Sequence, residues 1–112
     1  MLCHGDVSPE HVFVDAELRV SGLINWGMWH GGSAIGELAY VANTYGWTDL
    51  QAVLEGHGWI SLDDDPELRR ALATSLVGQL IGNIAHHVTI RDRAGADRNV
   101  AVLRQAVRIL ER

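Results

Sequence analysis

Four side chains near the start of the chain have the types and spacing to do chemistry. His4 and Asp6 flank Gly5, His11 follows soon after, and Asn25 sits in the run Leu23-Ile24-Asn25-Trp26-Gly27. A carboxylate on a tight loop can orient a hydroxyl and take its proton. Phosphoryl transfer asks for little else beyond positioning and charge: a carboxylate at the attacking hydroxyl and ligands for the metal ions on the nucleotide phosphates. The same residues have plainer readings. Asp6 can cap backbone amides in a turn, His11 can be hydrogen-bonded within its loop, and Asn25 can cap a turn. His4, Asp6 and His11 also mimic part of a hydrolase metal cluster, but the missing further ligands and the downstream Asn25-Trp26-Gly27 argue against it.

These side chains need elements to hold them. Val12 and Val14 alternate with Phe13, and Ala16-Glu17-Leu18 precedes a second short run. The pattern predicts strands over His11–Asp15 and Arg19–Ile24, joined as a hairpin. Gly27 to Gly36 is glycine-rich and expected to be a loop. It lacks the Gly-Lys-Ser/Thr of a phosphate-cradling loop. Gly36 to Tyr45 reads as a helix with Leu38, Ala39 and Ala42 inward. Thr48 is placed as the N-cap of a second helix to about Glu55, ended by Gly56 and Gly58. Asp63-Asp64-Asp65-Pro66 opens a long helix, with acidic residues at the favourable end of its dipole and proline in its first turn. A cation held by the three aspartates is the alternative.

Ala71 to Ile90 carries no formal charge and is long enough to span a bilayer. Ser75, Gln79, Asn83 and His86-His87 nevertheless form a polar stripe opposite Leu68, Leu72, Leu76, Leu80, Ile84 and Val88. An amphipathic core helix is therefore expected, with Gly78 and Gly82 permitting close packing. His86 and His87 are adjacent and so point to different sides of it, which prevents a joint metal clamp. Arg91 to Asp97 reads as a polar break. Val100, Leu103, Val107 and Leu110 mark a last helix, with Arg104, Arg108 and Arg112 on another face. Trp26, Trp29, Trp47 and Trp59 are expected in the core or at interfaces, and Trp29 is the one placed for ligand contact.

The ordered series His4-Gly5-Asp6, Val12-Phe13-Val14-Asp15, Leu23-Ile24-Asn25-Trp26-Gly27, Gly32-Ser33-Ala34 and Glu37-Leu38-Ala39 resembles the aminoglycoside phosphotransferase and choline kinase-like family, a branch of the protein-kinase-like fold. The resemblance covers Met1 to about Tyr45. It implies an α+β, mainly α fold: the distal part of a kinase-like C-lobe, with a β-hairpin carrying catalytic and metal loops and then a helical subdomain. Residues 1–112 would form one partial domain, with the loops and hairpin in 1–45 and the helices in 46–112. By the same resemblance Asp6 is the catalytic carboxylate. His11 and Asn25 occupy the Mg2+-binding and nucleotide-binding positions, and the donor is ATP or GTP. Phosphoryl transfer to a small-molecule hydroxyl is the implied activity. Asn25 departs from the family, which places Asp there, and Ser33, Ala34 and Glu37 depart from its Asp-Pro and Asp. A neutral amide weakens a magnesium site, and imidazole is a poorer magnesium ligand than oxygen.

All nine basic residues are arginine, so the chain has no lysine. Kinase-like folds use a lysine of the N-terminal lobe on the nucleotide phosphates. That part is expected to be missing, whether through truncation, splitting or decay, and the isolated chain is expected to be inactive. A non-catalytic remnant that binds a ligand or partner, by self-association or with a complementary N-lobe protein, is the rival reading. A metal-dependent hydrolase is the third. A net charge of −5 disfavours nucleic acid and suits a cationic acceptor such as an aminoglycoside. A single cysteine and no signal-like start fit a reducing cytoplasm, and no membrane partner is expected.

Overall fold

The computed structural model describes residues 1–58 and 61–112. Trp59 therefore lies outside the described residues. Two small antiparallel sheets come first. Strand β1 (Leu2–Cys3) pairs with β4 (His30–Gly31), and β2 (Val12–Val14) pairs with β3 (Val20–Leu23). The second pair is the expected hairpin, with Val12 opposite Leu23 and a bulge between Phe13 and Val14. Its turn is held by Asp15, whose carboxylate accepts from the Glu17 and Arg19 amides and from Arg19 Nε. These bonds, led by that from the Arg19 backbone, hold the Asp15 carboxyl below its ordinary range. The first pair was not expected. It turns the glycine-rich stretch back onto the N-terminal segment, and two 3-10 turns, Pro9–His11 and Trp26–Met28, intervene.

Four helices follow: α1 (Ala34–Tyr45), α2 (Trp47–Gly56), α3 (Pro66–Thr89) and α4 (Arg93–Leu110). Ser33 caps α1 by accepting from the Gly36 amide, so the helix starts two residues before its expected start. Helix α2 begins at Trp47 after Gly46, which has φ of 103°. Gly46, and not Thr48, stands at its N-cap. At α3 the expectation of a proline-led start holds: Asp65 accepts from the Leu68 amide and Pro66 is in the first turn. The core joins Ala39 and Ala42 of α1, Leu50 and Leu54 of α2, Leu72, Leu76 and Leu80 of α3, and Ala106 of α4, with Leu62 between.

Two readings of the long helix need correction. Leu72, Leu76 and Leu80 are buried, but Val88 is 63% exposed. A strict four-residue repeat turns about 40° per step on a helix of 3.6 residues per turn, so the stripe has wound round to solvent by Val88. The inward face continues instead through polar residues. Gln79 Nε2 donates to Gly36 O of α1, and Asn83 Nδ2 reaches Asn43 of α1 and Asn99 of α4. Gly78 and Gly82 lie on open surface, where an added Cβ would meet nothing within 4 Å. They do not serve close packing. The polar break is also shorter than expected. Helix α4 starts at Arg93, because Asp92 caps it by accepting from the Gly95 amide at 2.9 Å. Its inward positions are Ala96, Ala106 and Ile109, while Val107 is exposed. No described helix is long and apolar enough to cross a membrane.

Candidate active site

The site is assembled where the loop after β1 meets the loop after β3. His4 is the joint. It is buried, its Nδ1 accepts from the Asp6 amide at 3.1 Å, and its Nε2–H donates to Ile24 O at 2.8 Å. Its ring packs against Trp26, with centroids 4.5 Å apart. One residue thus shapes the Asp6 turn and ties it to the segment bearing Asn25. The capping considered for Asp6 is done by His4, and the Asp6 carboxylate is left for other work. Gly5 makes the turn at φ of 87°, and a Cβ there would collide with Met28 O. Its amide faces both carboxylate oxygens of Glu37 at 3.3 Å.

Asp6 keeps about a third of its side chain exposed. Its Oδ1 accepts from the Tyr40 hydroxyl at 2.6 Å, and its Oδ2 is 3.6 Å from His11 Nδ1. Burial, then the bond to Asp6, pushes the Tyr40 phenol up to about 12. Tyr40 is therefore a fixed donor at neutral pH. The sequence reading missed it. Glu37 and Tyr40 are three apart on α1, so they share a face, and the prominence of Glu37 was the available signal.

His11 and Asn25 are brought together. His11 Nδ1 lies 2.8 Å from Asp6 O, so that nitrogen carries the proton and donates; Ser8 Oγ is also within 3.0 Å. His11 Nε2 is then an acceptor, and Asn25 Nδ2 donates to it at 3.0 Å. Asn25 sits in the left-handed region, at φ of 59°, which asparagine tolerates better than most residues. As oriented, this donor set does not fit Mg2+. The imidazole lone pair is spent on the amide, the amide is uncharged, and magnesium favours oxygens. Among the described residues no group of three or more His, Cys, Asp or Glu side chains could hold a metal ion. His4 has both ring nitrogens engaged.

The sequence matches the phosphotransferase enzyme family over residues 1–81. The chain belongs to that family. Solved structures agree on the fold. The GDP complex of wild-type aminoglycoside 2'-phosphotransferase-IIIa superposes with a TM-score of 0.66 at 19% identity, covering 94% of this chain. The GDP and kanamycin complex of APH(2")-IIia superposes with a TM-score of 0.69, at 19% identity and the same coverage. The chain spans 35% of either enzyme's length. Among curated proteins no match was found. The mainly helical α+β fold expected from the motifs is thus the one observed, with the hairpin leading into the helices.

Proposed function

We propose that this chain is the acceptor-activating portion of a small-molecule phosphotransferase. The observation that carries it is the Asp6 carboxylate, set on a turn inside the family motif, with Oδ1 fixed by Tyr40 and Oδ2 3.6 Å from His11 Nδ1 on a side chain about a third exposed. A hydroxyl placed at Oδ2 is oriented for attack on the terminal phosphorus of ATP or GTP. The acceptor oxygen forms the new P–O bond, the bond to the nucleoside diphosphate breaks, and the hydroxyl proton passes to Asp6. The Tyr40 hydrogen bond holds the carboxylate in one rotamer for this task. His11, donating to Asp6 O, fixes the backbone of the same turn.

His11 and Asn25 are the residues assigned to the nucleotide and its magnesium, and they become available only when their mutual hydrogen bond opens. With no lysine among the 112 residues, the chain by itself transfers no phosphoryl group. Activity needs a complementary nucleotide-anchoring part. The second reading, a non-catalytic module that binds a ligand or partner, is favoured by that closed His11–Asn25 pair.

The test is an assay of small hydroxyl compounds with magnesium and ATP or GTP. It is run on the chain alone and on the chain mixed with an N-lobe fragment of a family phosphotransferase. Transfer is expected only in the mixture, and is expected to vanish in Asp6→Ala. Turnover by the chain alone at roughly one per second, or transfer that survives Asp6→Ala, contradicts the proposal. A mixture that binds a nucleotide or partner but never transfers supports the binding module.

A further inference from the structure

Charge is divided sharply along this chain. Residues 1–68 hold eleven acidic side chains and one arginine, whereas residues 69–112 hold eight arginines and three acidic side chains. The turn between β2 and β3 belongs to the acidic part, and it projects an apolar side chain. Leu18 is 82% exposed, and Val14 and Val20 beside it are exposed too. Leu18 has φ of 61°, a left-handed conformation that bulky side chains seldom adopt. The turn is held in that shape. Its Asp15 carboxylate accepts from the Glu17 and Arg19 amides, and Leu18 N donates to Asp15 O. Asp15 and Glu17 share one cation, Arg19, so the tip is net negative.

The end of α4 has the complementary features. A hollow of about 560 Å³ is lined by Trp47, Gln105, Arg108, Ile109, Glu111 and Arg112. Ile109 is buried and Trp47 half-buried, whereas the other four are exposed. The floor is therefore apolar and the rim polar. Arg70, in the second turn of α3, stands beside it: a small adjoining cavity is lined by Arg70, Ile109 and Arg112 together. Among the described residues no ion pair engages Arg70, Arg108 or Arg112. Glu111 is the one carboxylate lining either cavity. Guanidinium groups gathered in this way repel one another, and an acidic occupant relieves that repulsion.

We propose that the hairpin tip of one copy docks in the α4 hollow of a second copy. Leu18 sits on Trp47 and Ile109, and the tip's carboxylates face Arg108 and Arg112. An apolar knob ringed by negative charge meets an apolar floor ringed by positive charge. The two surfaces differ, so the contact is heterologous. Each added copy leaves one tip and one hollow free, and assembly grows head to tail instead of stopping at a dimer. The turn's own hydrogen bonds lower the cost of ordering it. A tip of a few residues buries far less than about 1,200 Å², so the association is weak. The three residues of β2 separate the tip from His11 by roughly 10 Å. Docking therefore leaves the Asp6 turn and Asn25 open, and it is independent of phosphotransfer.

The test is light scattering and sedimentation velocity on the 112-residue chain, up to about 1 mM because the contact is small. The average mass is expected to rise with concentration and to pass twice the monomer mass. High salt should reduce the rise, since the rim charges are exposed. Leu18→Gly removes the knob and suits the left-handed turn, so it should stay folded and lose the rise. Glu17→Arg and Arg108→Glu should each weaken association about tenfold, because one attraction becomes a repulsion. The double variant, with the charges exchanged, should regain most of it. A mass that stays at the monomer, or stops at the dimer, overturns the proposal. So does association unchanged in Leu18→Gly and Arg108→Glu, which would assign the contact to the rest of the apolar hairpin end. A double variant no better than either single one overturns the pairing of tip with hollow. None of these outcomes bears on the Asp6 assay.

Discussion

Tyr40 shows how a side chain absent from any motif can set the behaviour of one that is in it. Its hydroxyl holds Asp6 Oδ1 at 2.6 Å. Tyr40→Phe is expected to leave the fold intact and to loosen Asp6. Its kcat in the reconstituted mixture should fall about tenfold or more, with KM little changed, because the loss is one of orientation. The phenol is raised above its ordinary value to about 12. Its folded form thus keeps a proton that the unfolded form loses. The linked stability is fully present below pH 10 and is lost as pH rises toward 12. Denaturant melts across that window should show the loss in the wild type and less of it in Tyr40→Phe; identical slopes would count against a buried, Asp6-bound phenol. Gly5 carries a second residue-scale expectation. With φ of 87° and Met28 O in the way of a Cβ, Gly5→Ala should cost on the order of 1–3 kcal/mol, read as a lowered melting midpoint. That the loops bearing Asp6, His11 and Asn25 come together was legible, because short-range motifs carry them. Their partners were not, since the bonds from Tyr40 to Asp6 and from Asn25 to His11 cross between elements and depend on tertiary placement.

Among the elements, legibility followed the length and local character of each signal. The hairpin and the proline-led start of α3 were readable because alternation and capping act over a few residues. Strands β1 and β4 were not. Each is two residues long, and their pairing joins Leu2 to Gly31 across the whole loop region. The face of α3 was misread past Leu80 because a four-residue repeat drifts around the helix. The start of α4 was misread because Arg91 and Asp92 look like solvent-facing charge, whereas Asp92 is a cap. The α3–α4 corner also has an acid dependence. The Gly95 amide, and after it His87, hold the Asp92 carboxyl below its ordinary range. Its contribution is present above the unfolded carboxyl pKa and is lost as pH falls through the folded one. The protection factor of the Gly95 amide, corrected for the intrinsic pH dependence of exchange, should therefore fall on acidification, and Asp92→Asn should remove that dependence. At the other end of α3, Asp65→Ala removes the acceptor for Leu68 N and should cost about 1 kcal/mol. An unchanged melting midpoint would deny Asp65 its capping role.

On the scale of the whole molecule, the helical core is closed and the hairpin end is open. Phe13, Val14, Leu18, Val20, Ile24, Trp26, Met28 and Trp29 are all more than 40% exposed. Apolar surface of this kind marks interfaces, and it surrounds the segment that carries Asn25. Self-association through this end, or capture of a complementary N-lobe, is expected; a monomer at high concentration by light scattering would speak against it. In the proposed phosphotransferase site on this open end, the metal half is closed by the Asn25–His11 hydrogen bond. Asn25→Asp tests it most directly, by putting a carboxylate where the amide now donates to His11. Calorimetry would titrate magnesium and manganese, with and without ATP, into the wild type, Asn25→Asp, and Asn25→Asp with His11→Ala. Little binding by the wild type is expected, with a gain of roughly tenfold or more in Asn25→Asp, from one added charge at close range after desolvation losses. A smaller gain is expected once His11 is removed. If Asn25→Asp changes neither the series with ATP nor the series without it, the loops do not form a metal site, and the chain is a binding remnant of its family.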